Sequence, residues 1–511
     1  MGHARTLSIG LSGLQGTLVE VESDVSSGLP AFAVVGLPDS STLQARDRVR
    51  AGAARSGVHL AQRRITTNLS PAFVQKHGSG FDLAIAVSVI AAQGDIDPSG
   101  PSRTVHLGEL GLDGRIRPIP GVLPALIAAR DNGIRRAVVP EENLDEARLI
   151  DGIEVTGAGH LSTVLRRWGG DVALQSHHPA LRITPEPELP DPALAVDFSD
   201  VIGQQQARRA AEVAAAGGHH LLMVGPPGAG KTMIASRIPT ILPDLDDAEA
   251  LAVSAIHSVA GRFDARQGLR RRPPFENPHH TASTAAVVGG GAGIAGPGAI
   301  SRAHAGVLFL DEAPEFSSRV LEALREPLET GDITLHRSRG VTRYPARFQL
   351  VLTANPCPCG KAWGKGTDCT CSPQQRRRYL TRLSGPVLDR VDMRISVGPV
   401  DVNQVDAIAS ESSASIAQRV QEARDRQRER YARHSFSINA QLPGPLLRTR
   451  FAPTPQDRRL LDHALSQDRI TLRGHDRVLR LAWTLADLDG ADRPTAGHIG
   501  TALTLREGDR R

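Results

Sequence analysis

The segment that decides the fold lies near the middle of the chain and reads His220-Leu221-Leu222-Met223-Val224-Gly225-Pro226-Pro227-Gly228-Ala229-Gly230-Lys231-Thr232. It fits the pattern G-x-x-x-x-G-K-[ST], with an apolar strand before it and a helical run, 233–238, after it. The glycines let the backbone curl so that successive N–H groups point at phosphate oxygens. Lys231 adds a positive charge near the β- and γ-phosphates, and Thr232 offers a hydroxyl to Mg²⁺. The segment therefore predicts a site for a nucleoside triphosphate.

Two further strands end in polar residues that suit the same chemistry. The apolar run 306–310 is followed by Asp311, a candidate Mg²⁺ ligand, and by Glu312, a candidate base that polarises the attacking water. An apolar strand that ends in two acids is common by itself. It gains a functional meaning because the chain also contains the phosphate-binding motif 225–232, here called the P-loop. A third strand, 348–353, leads to Asn355, which can position the water beside the γ-phosphate. We expect an α/β fold in which a parallel sheet holds the nucleotide at the carboxyl ends of its strands.

The composition narrows the class of protein. The 511 residues carry 60 basic and 55 acidic side chains, a net charge of +5 that does not by itself predict nucleic-acid binding. Aromatic residues make up only 3% of the chain, which disfavours a surface built for base stacking. The N-terminus lacks the pattern of a signal peptide, and the uncharged run 281–301 is too rich in glycine for a membrane helix. We expect a soluble, cytoplasmic protein without a membrane partner.

The pattern of apolar runs and turns predicts four regions. Residues 1–170 alternate short apolar runs with Gly and Pro turns, which is typical of an α+β domain. Residues 171–196 are rich in proline and form a predicted linker, and residues 197–400 contain the nucleotide motifs. Residues 401–511 are mostly helical, and the charged run 418–433 within them predicts a solvated helix.

All four cysteines lie within fifteen residues, as the pairs Cys357-x-Cys359 and Cys369-x-Cys371. Four thiolates on one short loop can close a tetrahedral Zn²⁺ site, which would be structural because no coordination position stays open. The alternative is a reduced loop without metal, since the spacing is not the common C-x₂-C. Such a cluster favours a metal site in a reducing compartment over a disulfide framework.

The sequence also contains a predicted basic hairpin. Two β-prone runs within 333–344 flank a glycine and a cluster of arginines that includes Arg337 and Arg339. These two arginines can grip the phosphates of a nucleic acid. The alternative is an ordinary solvated turn.

Several longer strings carry a resemblance to a known family. They are 197–204 (DFSDVIGQ), 278–283 (PHHTAS), 303–312 (AHAGVLFLDE) and 355–360 (NPCPCG). Together with the P-loop they resemble AAA+ ATPases of the magnesium-chelatase-like branch, and more narrowly the YifB/ComM family. The resemblance extends over nearly the whole chain.

The resemblance implies ATP and Mg²⁺ as cofactors, a helical lid, and assembly into a homo-oligomeric ring, expected to be a hexamer. It implies that the hairpin points into the central pore and that the ring moves on single-stranded or branched DNA. The expected activity is a helicase-like motor for branch migration in recombination or natural transformation. The string 384–392 is similar to the segment that carries the arginine finger, which implies that role for Arg390; a local surface pair is the alternative. The string 471–482 is similar to the sensor-2 region, which implies Arg473, or as second choice Arg477.

The resemblance also implies a Lon-protease-like (S5-like) N-terminal domain. Gly80 stands where active Lon-type proteases have their serine, and Leu123 where they have their lysine, so we expect no peptidase activity. Glu276 and Ala299 depart from the family pattern, which usually has Arg and Glu there.

Two other functions are compatible with these motifs. One is a magnesium-chelatase-type ATPase that remodels a protein partner, and the other is a scaffold whose ATPase is regulatory. The rate of ATP hydrolysis with and without DNA separates them from a DNA motor.

Overall fold

We describe the chain from a computed structural model, for residues 2–72, 76–175, 196–291, 295–337, 340–383, 385–399 and 411–508. The predicted linker, 171–196, lies almost entirely outside these ranges. Within the part of the chain that the structure describes, no helix combines the length and the apolarity needed to cross a bilayer.

The N-terminal region contains a mixed sheet covered by helices. Its strands are β1 (Gly2–Ser12), β2 (Gln15–Ser26), β3 (Ala31–Val35), β4 (Arg64–Ser70), β5 (Val105–His106), β6 (Glu109–Leu110), β7 (Ile116–Arg117), β8 (Arg136–Pro140) and β9 (Glu154–Ala158). Its helices are α1 (Ser40–Leu43), α2 (Ala45–Arg55), α3 (Asp82–Gln93), α4 (Val122–Asp131), α5 (Leu144–Ala147) and α6 (Leu161–Arg167). Seven strands form one sheet in the order β3-β4-β2-β1-β5-β8-β9.

Helix α3 is enclosed by the rest of the N-terminal region, and every residue from Asp82 to Ala92 is buried. A helix that is apolar on all sides must be covered on all sides, and α3 lies against β1 and β2 with α2 beside it. The single acid at its start, Asp82, accepts hydrogen bonds from Arg48. Burial raises the pKa of Asp82 to about 6 in spite of this pair.

The central region is built around a parallel sheet. Its strands are β10 (Leu221–Val224), β11 (Phe275–Glu276), β12 (Gly289–Gly290), β13 (Gly296–Pro297), β14 (Val307–Leu310), β15 (Asp332–Arg337), β16 (Gly340–Pro345), β17 (Gln349–Ala354) and β18 (Met393–Ser396). Its helices are α7 (Gln205–Gly217), α8 (Lys231–Arg237), α9 (Asp247–Val259), α10 (Thr284–Val288), α11 (Ala299–Arg302), α12 (Ser318–Ala323), α13 (Arg325–Thr330), α14 (Pro373–Thr381) and α15 (Gly385–Leu388).

Five strands form the central sheet in the order β11-β14-β17-β10-β18, and every pair in it is parallel. Strands β14 and β17 are buried along their whole length, which explains their continuous apolar sequence. The register pairs Val224 with Ala354 and Leu310 with Leu352. The polar residues that follow β10, β14 and β17 therefore meet at one edge of the sheet.

The C-terminal region is helical, with α16 (Ser413–Tyr431), α17 (Gly444–Arg448), α18 (Arg459–Ser466), α19 (Leu472–Leu488) and α20 (Ala496–Glu507). The prediction of a solvated helix at 418–433 is wrong along one face of α16. Val420, Ala423 and Gln427 are buried against α7 and α19. Arg424 donates to the carbonyl of Ala215 at 2.6 Å, so part of the charge on this helix is used inside the fold.

The N-terminal region docks on helix α9 of the central region. Ser258 lies near the end of α9, and its hydroxyl donates to the carboxylate of Glu146. The backbone carbonyl of Ser258 accepts the backbone N–H of Gly121 at 3.2 Å. Burial raises the pKa of Glu146, while the hydrogen bonds from Ser258 and from the backbone of Leu123 oppose that shift. Of the hydrogen bonds to this carboxylate, the one from Ser258 crosses between the two regions, whereas those from Leu123 and Asn143 lie within the N-terminal region. Separation of the regions would leave the Ser258 hydroxyl without this partner.

Candidate nucleotide site

The P-loop leaves the central strand β10 and ends at the first turn of α8, as the sequence predicted. Gly228 and Gly230 have φ of +77° and +87°, in the left-handed region that favours glycine. Lys231 donates to the carbonyls of Gly225 and Pro226 at 2.7 and 2.9 Å, and to Asn355 Oδ1 at 3.2 Å. Burial lowers the pKa of Lys231, and the charges of Asp311 and Glu312 oppose that shift. The ammonium group of Lys231 therefore lies inside the loop, next to the residue that follows β17.

A hydroxyl and a carboxylate form the candidate Mg²⁺ site. Thr232 Oγ1 donates to Asp311 Oδ2 at 2.8 Å, which brings the two predicted ligands together. Thr353, fully buried on β17, donates to the other carboxylate oxygen of Asp311. Oxygen ligands suit Mg²⁺, and such a site needs neighbours that fix the carboxylate, which Thr353 does here.

Glu312 stands directly after Asp311 with a φ of +51°, an uncommon value for a residue with a side chain. Its backbone N–H donates to Thr353 Oγ1 at 2.9 Å, and its carboxylate Oε1 lies 3.5 Å from Asn355 Nδ2. Asn355 thus lies between the base candidate and Lys231. The structure brings together the predicted residues Lys231, Thr232, Asp311, Glu312 and Asn355 in one place.

The predicted arginines lie at the opposite edge of the sheet. Arg473 Nη1 is 3.8 Å from Asp389 Oδ2, and Arg477 forms an ion pair with Asp392. Asp392 also accepts the backbone N–H of His220, the residue just before β10, at 3.0 Å. The four residues of β10 span on the order of 13 Å between these aspartates and the P-loop. Both arginines therefore lie across the sheet from the P-loop of their own chain.

Arg390 belongs to the same edge. It forms an ion pair with Glu329 of α13 and donates to the carbonyl of Pro386 at 2.7 Å. The expected alternative, a local pair with Asp389 or Asp392, is not the arrangement found, because those acids pair with Arg473 and Arg477. Burial and the charges of Arg473, Arg477 and Arg325 lower the pKa of Arg390. Each of these guanidinium groups is balanced within the chain by a carboxylate, so an incoming anion would have to compete with Glu329 for Arg390.

The four cysteines form one cluster on the segment that follows β17. Their sulfur atoms all lie within 4.8 Å of one another, and the Sγ of Cys357 is 3.3 Å from that of Cys359 and 3.6 Å from that of Cys369. A tetrahedron with Zn–S bonds of about 2.3 Å has sulfur atoms about 3.8 Å apart, so the cluster fits one tetrahedral ion. An iron–sulfur cluster fits less well, since its cysteines bind different iron atoms.

The predicted hairpin is confirmed as β15 and β16, which pair from Asp332 with Pro345 to Arg337 with Gly340. Arg339 lies outside the described residues, and Arg337 ends β15 in a part of the hairpin whose side chains are not described. The hairpin touches the N-terminal region, where Ser12 Oγ donates to the carbonyl of Val341 at 3.5 Å.

Gly80 and Leu123, at the positions where active Lon-type proteases have serine and lysine, make structural contacts, and so do the nearby Ser79 and Lys76. Gly80 precedes α3, and its carbonyl accepts the N–H of Gly108 at 3.1 Å. Leu123 is buried in α4. Ser79 donates to Glu109, and Lys76, which is fully buried, donates to the carbonyl of Pro71.

The two departures from the family pattern have different outcomes. Glu276 forms a two-pronged pair with Arg302 at 2.9 and 3.0 Å, which ties β11 to the end of α11. Ala299 is buried at the start of α11, where a small side chain fits.

Sequence reasoning missed two residues of the site. Thr353 is the one polar residue in the run 350–354, and that isolated hydroxyl was the available signal. Gln204 donates through Nε2 to the carbonyls of Ala229 and Gly398 at 3.1 and 2.6 Å, and so joins the P-loop to the end of β18. Its left-handed φ of +49° depends on tertiary contacts that no local pattern reveals.

Comparisons with known proteins agree with the geometry. Residues 197–405 match the family described as magnesium chelatase, subunit ChlI; residues 21–143 match subunit ChlI of Mg-chelatase, and residues 410–506 match its C-terminal part. The chain is 48% identical to an uncharacterised protein of Mycobacterium tuberculosis, over 99% of each. It is 42% identical to YifB of Escherichia coli over 98% of this chain and 96% of YifB. It is 39% identical to the competence protein ComM of Haemophilus influenzae over 97% and 95%.

Proposed function

The chain belongs to the YifB/ComM family of magnesium-chelatase-like proteins, and from that premise we propose that it is a ring-forming AAA+ ATPase that moves on DNA and drives branch migration. The observation that carries the proposal is the division of the site between two edges of one sheet. The residues for binding and activating ATP stand at the carboxyl ends of the strands, and a group of arginines, each paired with a carboxylate of its own chain, stands at the amino ends.

The chain's own residues suggest the order of events at the P-loop. The P-loop amides and Lys231 bind the phosphates of ATP, for which Lys231 must exchange its contacts with Gly225 and Pro226 for phosphate oxygens. Thr232 and Asp311 would hold Mg²⁺, which neutralises charge on the β- and γ-phosphates. Glu312 orients and polarises the attacking water, and Asn355 fixes the position of that water.

We infer that Arg390 and Arg473 complete the site of a neighbouring subunit. A ring that stacks the amino edge of one sheet on the carboxyl edge of the next places both guanidinium groups at the neighbour's γ-phosphate. To reach that phosphate, Arg390 would leave Glu329 and Arg473 would leave Asp389. Hydrolysis then depends on assembly, since neither edge is sufficient alone. Six subunits would close such a ring.

The basic hairpin is the proposed DNA contact. Arg337 is the last residue of β15, and Arg339, which lies outside the described residues, comes just before β16 in the sequence. Positive charge in this part of the hairpin suits a phosphate backbone that is gripped without reading its sequence. The few aromatic residues favour such backbone contacts over base stacking. The N-terminal region, for which we propose a non-proteolytic Lon-like fold, would support the ring.

The cysteine cluster is proposed to hold structural Zn²⁺. Four sulfur atoms within 4.8 Å match a tetrahedral ion, and they leave no coordination position for catalysis. Without an ion the four thiols compete for protons: hydrogen bonds from the backbone N–H of Lys361 and from Cys357 lower the pKa of Cys359, whereas the pKa of Cys369 and that of Cys371 are raised.

ATP hydrolysis measured with single-stranded DNA, duplex DNA and a four-way junction tests the proposal. We expect the junction or the single strand to raise the rate several-fold, and the ATP-supplied ring to separate the junction. The double variant Arg337→Ala/Arg339→Ala should lose this stimulation, and Arg266→Ala, which removes an exposed arginine of another surface, should keep it. No stimulation of the wild-type protein by any DNA would refute the DNA motor and favour the chelatase-type alternative.

A further inference from the structure

The segment 355–371, here called the cysteine loop, runs from β17 to α14 and forms one wall of the nucleotide site. It contains the four cysteines and begins at Asn355. Its residues touch the P-loop directly in two places and indirectly in a third. None of these contacts is made by a cysteine thiol.

The first contact is the closest. Gly360 has a φ of +74°, and a Cβ built on it would lie 2.6 Å from both Cγ and Cδ of Pro227. Only glycine fits at such a distance, because real Cβ atoms do not approach carbon so closely. The backbone N–H of Gly360 donates to the carbonyl of Cys357 at 2.9 Å. The turn that begins at the first cysteine is therefore pressed against the middle of the P-loop.

The second contact reaches the P-loop through β18. The Trp363 ring lies against Gly398, where a Cβ would be 3.3 Å from the ring carbon Cζ2. The carbonyl of Gly398 accepts from Gln204, whose amide also donates to the carbonyl of Ala229 in the P-loop. A shift of Trp363 would free the strand end to which Gln204 ties the P-loop.

The third contact is Asn355 itself. Its side chain accepts from Lys231 at 3.2 Å, and its backbone lies near Tyr379 of α14, where it opposes the rise that burial causes in the pKa of that phenol. Helix α14 is in turn joined to the loop, since Arg376 Nε donates to the carbonyl of Cys371 at 3.2 Å. The position of Asn355 thus depends on where both ends of the loop are held.

Little besides the thiols holds the loop together. The backbone hydrogen bonds within it join residues three apart, from Gly360 to Cys357, from Gly366 to Trp363 and from Cys369 to Gly366. Such bonds close turns but do not join the two cysteine pairs. The contact between the pairs is made by sulfur, through Cys357 and Cys359 with Cys369 at 3.6 Å each. Four neutral or partly ionised thiols do not attract one another strongly, whereas four thiolates on one divalent ion do.

We propose that a thiophilic divalent ion of the Zn²⁺ class, bound by Cys357, Cys359, Cys369 and Cys371, fixes the cysteine loop against the P-loop and thereby sets the affinity of the chain for ATP. This rests on the proposed ATP and zinc sites and adds a coupling between them. The ion touches neither nucleotide nor water. It acts through Gly360, Trp363 and Asn355, so its loss weakens nucleotide binding before any catalytic residue is removed.

The test measures metal content and nucleotide affinity, not hydrolysis. Wild type is stripped with a zinc-selective chelator in excess Mg²⁺, and the binding of a fluorescent ATP analogue is measured before stripping, after it, and after stoichiometric Zn²⁺ is returned. We expect about one Zn²⁺ per chain at the start, a loss of affinity of about tenfold or more on stripping, and recovery with Zn²⁺. Cys369→Ser/Cys371→Ser should behave like the stripped protein, and Thr370→Ser, an exposed change between the two cysteines, like wild type.

A second variant separates the loop contact from the ion. Gly360→Ala keeps all four thiols but places a methyl group against Pro227, so it should retain Zn²⁺ and still bind the analogue about tenfold more weakly. Equal affinity in metal-free and metal-loaded wild type overturns the coupling and leaves the ATPase proposal standing. A chain that takes up no Zn²⁺ overturns it as well. Metal-loaded wild type that does not bind the analogue at all refutes the ATPase proposal itself.

Discussion

Replacing Thr353 by valine tests how Asp311, the proposed magnesium ligand, is positioned. The side chain is fully buried, so valine fits in its place and only the hydroxyl is lost. That hydroxyl makes two hydrogen bonds, one to the Asp311 carboxylate and one from the backbone N–H of Glu312. Its loss leaves Asp311 free to turn away from Thr232, and it removes one support of the left-handed turn at Glu312.

The expected size of the effect follows from the kind of contact removed. Neighbours that orient a metal-binding carboxylate contribute about 10–100-fold to metal affinity or activity, which corresponds to about 1.4–2.7 kcal/mol. We expect Thr353→Val to raise the Mg²⁺ concentration needed for half-maximal ATPase by about tenfold and to lower kcat by about tenfold or more. Binding of the fluorescent ATP analogue without Mg²⁺ should be unchanged, because the P-loop and Lys231 are untouched.

The assay is steady-state ATPase of the assembled protein over a series of Mg²⁺ concentrations, with Thr353→Ser as the matched control. Serine keeps the hydroxyl and should restore both parameters, which a purely structural defect would not allow. If Thr353→Val hydrolyses ATP like wild type at every Mg²⁺ concentration, then Thr353 does not position Asp311 and this account of the site is wrong.

Three further perturbations have defined outcomes. Glu312→Gln should bind the ATP analogue and assemble like wild type while turnover falls about 100-fold or more, and retained turnover in a hydrolysis assay would remove Glu312 from its role. Burial lowers the pKa of His106 to about 3, so the folded chain holds it neutral while the unfolded chain protonates it near pH 6.5. The contribution of His106 to the free energy of unfolding is therefore present above pH 6.5 and is lost as pH falls, by about 1.4 kcal/mol at pH 5.5. His106→Gln should flatten this part of the pH dependence of the unfolding free energy measured with denaturant. An unchanged slope would contradict this role of His106. Arg302→Met leaves the largely buried Glu276 without its ion-pair partner and should lower the free energy of unfolding by about 2–3 kcal/mol, measured by thermal unfolding. The exchanged pair Glu276→Arg/Arg302→Glu should recover part of this loss. No loss in the single variant would show that the pair is not stabilising.

The sequence predicts the parts of the site that follow strands in regular order. The P-loop, Asp311 and Asn355 each come directly after an apolar run, and parallel strands bring their ends to one edge, so their meeting could be inferred without coordinates. The hairpin and the cysteine cluster are also local, because each forms from residues close in the chain.

What the sequence could not supply are contacts between distant segments. Arg473 and Arg477 are held across the sheet from the P-loop by Asp389 and Asp392, which stand more than eighty residues earlier in the chain. The periodicity of α19 does not show on which side of the sheet these arginines lie. The misread charge pattern of α16 has the same cause. Arg424 looks solvated by its sequence, and only the position of α7 gives it the Ala215 carbonyl. Glu276 departs from the family pattern, but its partner Arg302 is visible only in the fold.

We propose that each nucleotide site is completed by a neighbouring subunit. Mixing two variants that are each inactive for a different reason tests this proposal. Lys231→Ala cannot hold the phosphates but still offers Arg390, whereas Arg390→Ala keeps the P-loop but offers no finger. Each alone should be nearly inactive. Mixed in equal amounts and reassembled, roughly a quarter of the interfaces combine an intact P-loop with an intact Arg390, so ATPase should reappear at a comparable fraction of wild type. Mixtures that stay as inactive as their components, although they co-assemble, would contradict the claim.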